Sequence, residues 1–258
     1  MESVDAKMIR AHEQIDILHL EIREFLSTIK VEQVLKTSPS ELHPWLVMWV
    51  KDYIPPPGLS VLMGECVHNM SGALDNLVCG LARTVNPLND YKKPRIAFPF
   101  TKEEKNWKDK LLEGVPSAAL TIIKTFQPWH DPFGPKPNPL SVLNELSNTD
   151  KHRACNFTLV HSRNVGVEVH GNDGTVIKVQ FTVPFYLGNI EAVSLAPMTA
   201  AAITPSARVI TTGAFVLTLQ EEGIWNDLPI ERVLERCFEE VEEASLRIAR
   251  MRQKSFRF

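Results

Sequence analysis

A cluster of acidic, basic and amide side chains marks residues 64–83, GECVHNMSGALDNLVCGLAR. At about 100° per residue this stretch predicts a helix whose apolar residues gather on one side. The opposite side carries a polar stripe made of Glu65, His68, Asn69, Gly72, Asp75 and Asn76. Such a stripe either faces solvent, as on a surface helix, or lines a polar site.

A second polar cluster lies at residues 143–153, LNELSNTDKHR. Helical spacing puts Asp150 close to the direction of the leucines, whereas Asn148 and His152 fall on another face. A carboxylate beside an apolar face is costly unless it is paired, so we expect a partner for Asp150, such as Arg153 or a basic side chain of another helix. If the two helices pack together, acid, base, amide and guanidinium share one cleft, as in a functional site.

One chemistry that these residues suggest is a metal centre. Glu65 and His68 stand one helical turn apart, and this Glu-x-x-His spacing occurs in the di-iron sites of helical bundles. Such sites use the motif twice together with two more carboxylates, whereas the second helix offers Glu145-x-x-Asn148. Metal ligands would be Glu65 and His68, with His152 as a further residue of a metalloenzyme, and the sequence alone identifies no cofactor.

A second chemistry is metal-independent cleavage of RNA or another reaction on a nucleotide. His152 or His68 would act as acid and base beside Asp150, and Arg153 would bind phosphate. Substrate would be bound by three further polar residues, Asn69, Asp75 and Asn148. A third interpretation involves no chemistry, because a satisfied polar network also locks helices together. The chain contains no phosphate loop, no G-x-S-x-G, no H-E-x-x-H and no G-x-G-x-x-G motif.

The bulk composition is that of a folded protein. The chain has 258 residues, of which 44% are hydrophobic and 23% charged. The net charge of -3 gives no overall nucleic-acid signature. No apolar run reaches the ~20 residues of a membrane span, and the charged N-terminal residues do not resemble a signal peptide, so we expect a cytoplasmic protein. Four scattered cysteines without a CxxC pair exclude a zinc ribbon and predict free thiols.

The order of the elements predicts an α+β fold. Amphipathic patterns predict helices at residues 4–29, 64–83, 101–112, 116–126, 140–152 and 229–252. Alternating patterns predict strands at 45–50, 155–162, 165–170, 175–185, 191–195 and 208–220. The later strands would form one antiparallel meander, with the strand at 45–50 on its edge, and the proline-rich stretch 127–139 is a loop or lid.

We therefore expect an N-terminal helical bundle packed with a C-terminal antiparallel β-sheet and closed by a long C-terminal helix. This would be a single domain, with a helix-rich part at 1–153, a β-meander at 154–222 and the C-terminal helix at 228–253. His12 is expected at the buried edge of the first helix. The basic tail at 247–258, RIARMRQKSFRF, contains no acid and suits either a helix C-terminus or a phosphate-binding patch.

The order of the motifs resembles a widespread bacterial family of uncharacterised proteins. RAHEQIDIL, LSVLMGECVHNMSGALDNLV, AFPF, FQPW and PLSVLNELSNTDKHR follow one another at residues 10–153. The family carries a GD/E-x-x-HNLRSALDHLV helix followed by L-x-x-LSN-x-DKHR. This resemblance implies a bacterial protein, and it points to six matching residues: His68, Asn69, Asn148, Asp150, His152 and Arg153.

The RSALDH string of that family is similar to the arginine-x4-histidine pattern of HEPN-type ribonucleases. These helical proteins are often dimeric and serve as toxins or in defence. This chain has Ser71 in place of the arginine and Asn76 in place of the histidine. A hydroxyl does not bind phosphate as a guanidinium does, and an amide does not shuttle protons. The resemblance thus implies an HEPN-like module that binds RNA or a nucleotide, a homodimer, and no active nuclease of the HEPN type.

Overall fold

The computed structural model describes residues 2–36, 45–50, 53–85, 96–108, 112–152, 155–161, 165–170, 174, 176–181, 191–194, 208–212, 215–219 and 228–255. Its α-helices are α1 (Glu2–Thr28), α2 (Pro57–Val85), α3 (Ser117–Thr125), α4 (Pro139–His152) and α5 (Ile230–Ser255). Its strands are β1 (Val31–Lys36), β2 (Trp45–Val50), β3 (Phe157–His161), β4 (Val165–His170), β5 (Val176–Phe181), β6 (Glu191–Ser194), β7 (Arg208–Thr212) and β8 (Phe215–Leu219). Single 3-10 turns lie at Glu104–Asn106 and Pro128–His130.

The chain divides into two compact units. The first unit, which we call the helical unit, contains Met1–Glu21, Pro57–Asn156 and Leu219–Phe258. The second, the strand unit, contains Ile22–Pro56 and Phe157–Thr218. Helix α1 belongs to the helical unit up to Glu21 and to the strand unit from Ile22. The expectation of a single domain stays a prediction.

The helical unit has the core that the apolar periodicity predicts. Helix α2 buries Met63, Val67, Met70 and Leu74, which recur every three or four residues on one face. Helix α2 contacts α4 and α5, and α5 also contacts α3 and α4. Helix α4 begins at a proline whose missing N–H is tolerated in a first turn. The Asn138 side chain caps it by accepting hydrogen bonds from the next backbone N–H groups, 3.0 Å from that of Leu140.

The strands form three small sheets, in the orders β1-β2-β6, β3-β8 and β5-β4-β7. All eight strands lie in the strand unit, except the last residue of β8. Strand β2 is antiparallel to both neighbours, with Val47 opposite Val34 and Ala192. Strand β4 is likewise antiparallel to β5 and β7. The described strands therefore differ from the single meander that we predicted.

Three further expectations need correction. Strand β1 was not expected, because its sequence, VEQVLK, follows a long helix without a turn signal. Where a helix was predicted from Thr101, the described residues form only the 3-10 turn Glu104–Asn106. His12 is exposed rather than buried, since the buried positions of this helix turn are Ala11, Gln14 and Ile15. In the described part of the chain, no helix is long and apolar enough to cross a membrane.

Candidate functional site

The packing of α2 against α4 brings the two predicted polar clusters together. Gly64 is the point of closest approach, because a methyl group added there would lie 2.1 Å from Oδ1 of Asp150. A glycine is therefore what allows this carboxylate to lie against the α2 backbone. At the same end of α2, the Ser60 hydroxyl donates a hydrogen bond of 2.6 Å to the Cys155 carbonyl. The structure thus places Asp150 beside the stripe.

A buried glutamine joins two residues of the stripe to α1. Gln14 is 3% exposed, and its Nε2 donates to Oε2 of Glu65 at 2.5 Å. Its Oε1 accepts a hydrogen bond of 2.8 Å from Nδ2 of Asn69. One amide therefore satisfies a carboxylate and a second amide across the helix interface, which is the behaviour of a network that locks packing. Sequence reasoning missed Gln14, because its polar neighbours His12 and Glu13 give no sign of burial.

The C-terminal half of the stripe also contacts the rest of the chain. Oδ1 of Asp75 accepts a hydrogen bond of 2.8 Å from the backbone N–H of Phe98. Gly72 lies under the Lys7 side chain, whose Nζ would be 3.0 Å from an added Cβ. The carboxylate of Asp75 thus holds the segment around Phe98, and a role in binding substrate stays a prediction.

Five of the predicted site residues are exposed: Glu65, His68, Asn148, Asp150 and His152. We expected Asp150 to need a partner because we took its carboxylate to be buried near the leucines of α4. The residue does lie on the side of α4 that contacts α2, but the buried residues of that side, among them Leu143, Leu146 and Ser147, precede it by one or two turns. Asp150 stands at the solvent end of that face, where water can hydrate its carboxylate. Arg153 lies outside the described residues.

The residues proposed for a metal centre do not converge. Glu65 accepts the hydrogen bond from Gln14, and Glu145, in the incomplete second motif, forms an ion pair with Lys102. Among the residues that the structure describes, no three His, Cys, Asp or Glu side chains are grouped closely enough to hold a metal ion. A di-iron arrangement needs six such ligands on facing helices, so the donor set of Glu65 and His68 does not fit it.

An open groove of about 610 Å³ lies between α1 and α5, on the other side of α1 from its contact with α2. It is lined by Met8, Ile9, His12, Glu13, Ile15, Asp16, His19, Glu235, Phe238, Glu239 and Glu242. The apolar part includes Ile9, which is 61% exposed, and Phe238, which contacts the His12 ring at 5.5 Å between centroids. A large apolar side chain left open in a groove is typical of a binding surface.

The lining of this groove is acidic. It contains five carboxylates and no lysine or arginine. Glu13 pairs with Arg10 at 3.2 Å and Glu235 with Arg232 at 2.7 Å, both cations standing outside the lining. His19 lies 4.0 Å from Glu235. Next to them, burial raises the pKa of the Glu231 carboxyl above its ordinary value, although the nearby His19 acts in the opposite direction.

Two buried cysteines of the helical unit are poor nucleophiles. None of the four cysteines forms a disulfide, and burial raises the pKa of the Cys66 and Cys237 thiols to about 12 each. A thiol with such a pKa is protonated at neutral pH and therefore unreactive. Cys66 belongs to the core that lies beneath the stripe.

The chain was also compared with known proteins. No protein-family model matches it, and neither the curated proteins nor the solved structures gave a significant match. The resemblance to the bacterial family and to HEPN-type ribonucleases therefore stays a prediction that rests on the motifs of this sequence.

Proposed function

We propose that this protein is a binding or regulatory module and that its ligand surface is the groove between α1 and α5. The observation that carries the proposal is the open, partly apolar groove with Ile9 exposed in it. By contrast, Glu65, Asn69 and Asp75 of the polar stripe are already hydrogen-bonded within the chain. The groove contains polar contacts as well, at Glu13, Asp16 and Glu235. Its difference from the stripe is the exposed Ile9, an apolar surface that a ligand can bury.

The ligand class follows from the charge of the lining. Five carboxylates repel a phosphate backbone, so RNA is a poor ligand for the groove. A protein segment with one apolar and one basic face would bury its apolar residues against Ile9 and Phe238. Its lysines and arginines would then meet the acidic rim, as when an amphipathic helix binds in a groove. We propose a basic amphipathic helix as the ligand.

RNA or nucleotide binding in an HEPN-like manner is a second candidate, at a different place. One observation favours it: His152 is exposed at the end of α4, and the contact of Asp150 with Gly64 sets this end beside α2, one turn from the exposed His68. A ribonuclease using His152, His68 and Arg153 would act there. RNA cleavage that persists in EDTA and is lost in His152→Ala would support this candidate over the groove.

Further proposals concern the origin, the cellular location, the biological role and the domain organisation of this protein. We propose a bacterial protein that acts in the cytoplasm, with defence as a candidate role. We also propose that the chain is a single α+β domain. The uninterrupted helix α1, whose residues belong to both units, supports this arrangement.

A peptide titration tests the groove proposal. The probe is a fluorescein-labelled amphipathic helix of leucine and lysine, unrelated to this chain, and its Kd is measured by fluorescence anisotropy. We expect Glu242→Lys to weaken binding about fivefold and Ile9→Glu at least tenfold, because the first repels the basic face and the second the apolar face. The matched control is Glu104→Lys, the same charge change in the exposed 3-10 turn.

Equal affinity of the peptide for wild type, Glu242→Lys and Ile9→Glu would contradict the proposal. So would an equal loss in Glu104→Lys, because it would show attraction to the overall negative charge rather than to the groove. A persistent difference at raised salt between Ile9→Glu and the control would strengthen it, since salt screens only the charged contacts.

A further inference from the structure

The groove face of α5 changes its charge along the helix. Glu235, Glu239 and Glu242 follow at helical spacing and line the groove. Two more steps of four residues lead from Glu242 to Leu246 and then to Arg250, on the same face. Leu246 is 43% exposed and Arg250 is exposed as well. This face is therefore acidic in its first half, apolar in the middle and basic in its second half.

The charged ends of this face are available for a partner. Considering only the described residues, neither Glu242 nor Arg250 forms an ion pair. Arg247, by contrast, faces elsewhere, because it pairs with Glu243 at 2.7 Å and lies over the Phe126 ring. The sequence adds Arg252 and Lys254 to the C-terminal part of α5, with no acid after Glu243.

An antiparallel copy of this face is complementary to itself. When two α5 helices cross at Leu246, each position after 246 on one helix meets the position equally far before 246 on the other. Arg250 of one copy then meets Glu242 of the second copy, and the same pair forms again by symmetry. The two Leu246 side chains meet at the centre. Self-complementarity of this kind is what a twofold interface requires.

We propose that the groove is filled by the basic C-terminal part of α5 from a second copy of this chain. This inference rests on the proposed function and names its ligand. In this register residues 250–255 of the second copy lie opposite residues 237–242, which include Glu239 and Glu242 of the groove lining. The occupant is helical and basic, which is the chemistry that the acidic lining requires.

Charge exchange with analytical ultracentrifugation tests the proposal on the full chain. We expect wild type to form a dimer whose Kd rises with salt. Glu242→Arg and Arg250→Glu, made singly, should each weaken the dimer at least about tenfold, because two like-charged pairs then meet at the interface. The double variant restores opposite charges and should recover most of the affinity. The control Glu104→Arg should leave the dimer unchanged.

A wild type that stays monomeric at every concentration would overturn the second-copy proposal, and so would a double variant no tighter than the single ones. The leucine–lysine peptide separates this failure from that of the proposed function. One outcome is that no dimer forms, that the Arg250→Glu variant binds the peptide, and that adding Ile9→Glu to this variant abolishes the binding. The groove then binds a basic helix other than α5 of a second copy. If neither a dimer nor peptide binding is found, both proposals fail.

Discussion

The part of helix α1 that belongs to the helical unit contributes to two polar surfaces, one buried against α2 and one open beside α5. Towards α2 it contributes the buried Gln14, which bonds Glu65 and Asn69. Towards α5 it contributes the exposed Ile9 and the rim carboxylates Glu13 and Asp16. The stripe has the residue types of an active site, but Glu65, Asn69 and Asp75 are hydrogen-bonded within the chain. The groove has no recognisable motif, yet it is open. An exposed apolar side chain, rather than polarity, separates the binding surface from the packing network.

The difference has an energetic basis. A hydrogen bond within a buried network adds only about 1 kcal/mol over the bonds made to water, but removing one partner leaves the others unsatisfied at a larger cost. An exposed groove residue loses little on substitution, because water replaces its contacts. Substitutions on the two sides of α1 should therefore affect different quantities, stability on one side and binding on the other.

The largest expected effect is that of Gln14→Ala. We expect a loss of about 2 kcal/mol in the free energy of unfolding, since the change leaves a small cavity and removes the partner of Asn69. The matched change on the same helix, Ile9→Ala, should cost under about 0.5 kcal/mol, as at other exposed positions. Urea denaturation followed by circular dichroism measures both.

A double-mutant cycle with Asn69→Ala serves as the control for that result. If the stripe acts as a network, the two losses are not additive, with a coupling of at least about 0.5 kcal/mol. Equal losses in Gln14→Ala and Ile9→Ala would contradict the distinction between the two surfaces.

A smaller effect is expected at the glycines of α2. Gly80 has nothing within 4 Å of an added Cβ, so Gly80→Ala should stabilise the chain by up to about 1 kcal/mol through helix propensity. Gly64→Ala gains the same propensity but must displace the Asp150 carboxylate. We expect it to be about 1 kcal/mol less favourable than Gly80→Ala, a typical cost of overpacking. Thermal and urea unfolding of both variants measure the difference.

Removal of the Asp150 carboxylate is the control for this comparison of Gly64→Ala with Gly80→Ala. In an Asp150→Ala background the obstacle is gone, and Gly64→Ala should stabilise as much as Gly80→Ala does. If the difference between the two glycine variants persists without the carboxylate, the close approach at Gly64 is not what makes them differ.

The local residue pattern predicted the helices and their buried faces better than it predicted which elements pair with one another. The apolar residues from Met63 to Leu74 gave both the existence of α2 and the face it buries, because a 3.6-residue period depends on neighbouring residues alone. The pairing of β2 with β6 joins residues almost 150 positions apart, and no local signal determines it. For the same reason we predicted one meander from strands that the structure arranges in three sheets.

The functional site was harder to predict, because the polar stripe of α2 and the groove face of α5 look alike in sequence. Glu65 on α2 and Glu239 on α5 are both helical glutamates beside an apolar face. Only the assembled fold shows that Gln14 approaches the first, while the second lines an open groove. The spacing of the acids on α5 was visible, but a charged helix face is usually just solvated. The groove that leaves Ile9 exposed beside the half-buried Phe238 forms only when α1 is in place.

The smallest expected effect compares Glu231, a carboxyl beside the groove, with the exposed Glu104. Burial raises the pKa of Glu231 above its ordinary value of 4.5. Between the two pKa values this group binds more protons in the folded chain than in the unfolded chain, so the contribution of Glu231 to stability is largest below pH 4.5 and is lost as the pH rises through the folded value. Glu231→Gln removes this loss and should stabilise the protein at pH 7 by about 0.5 kcal/mol. Urea unfolding at pH 7 and pH 4 measures the gain, which should vanish at the lower pH, whereas the exposed control Glu104→Gln should show no such pH-dependent gain. A variant less stable than wild type at pH 7 would show instead that the charge of Glu231, in the first turn of α5, is stabilised by the helix N-terminus more than burial disfavours it.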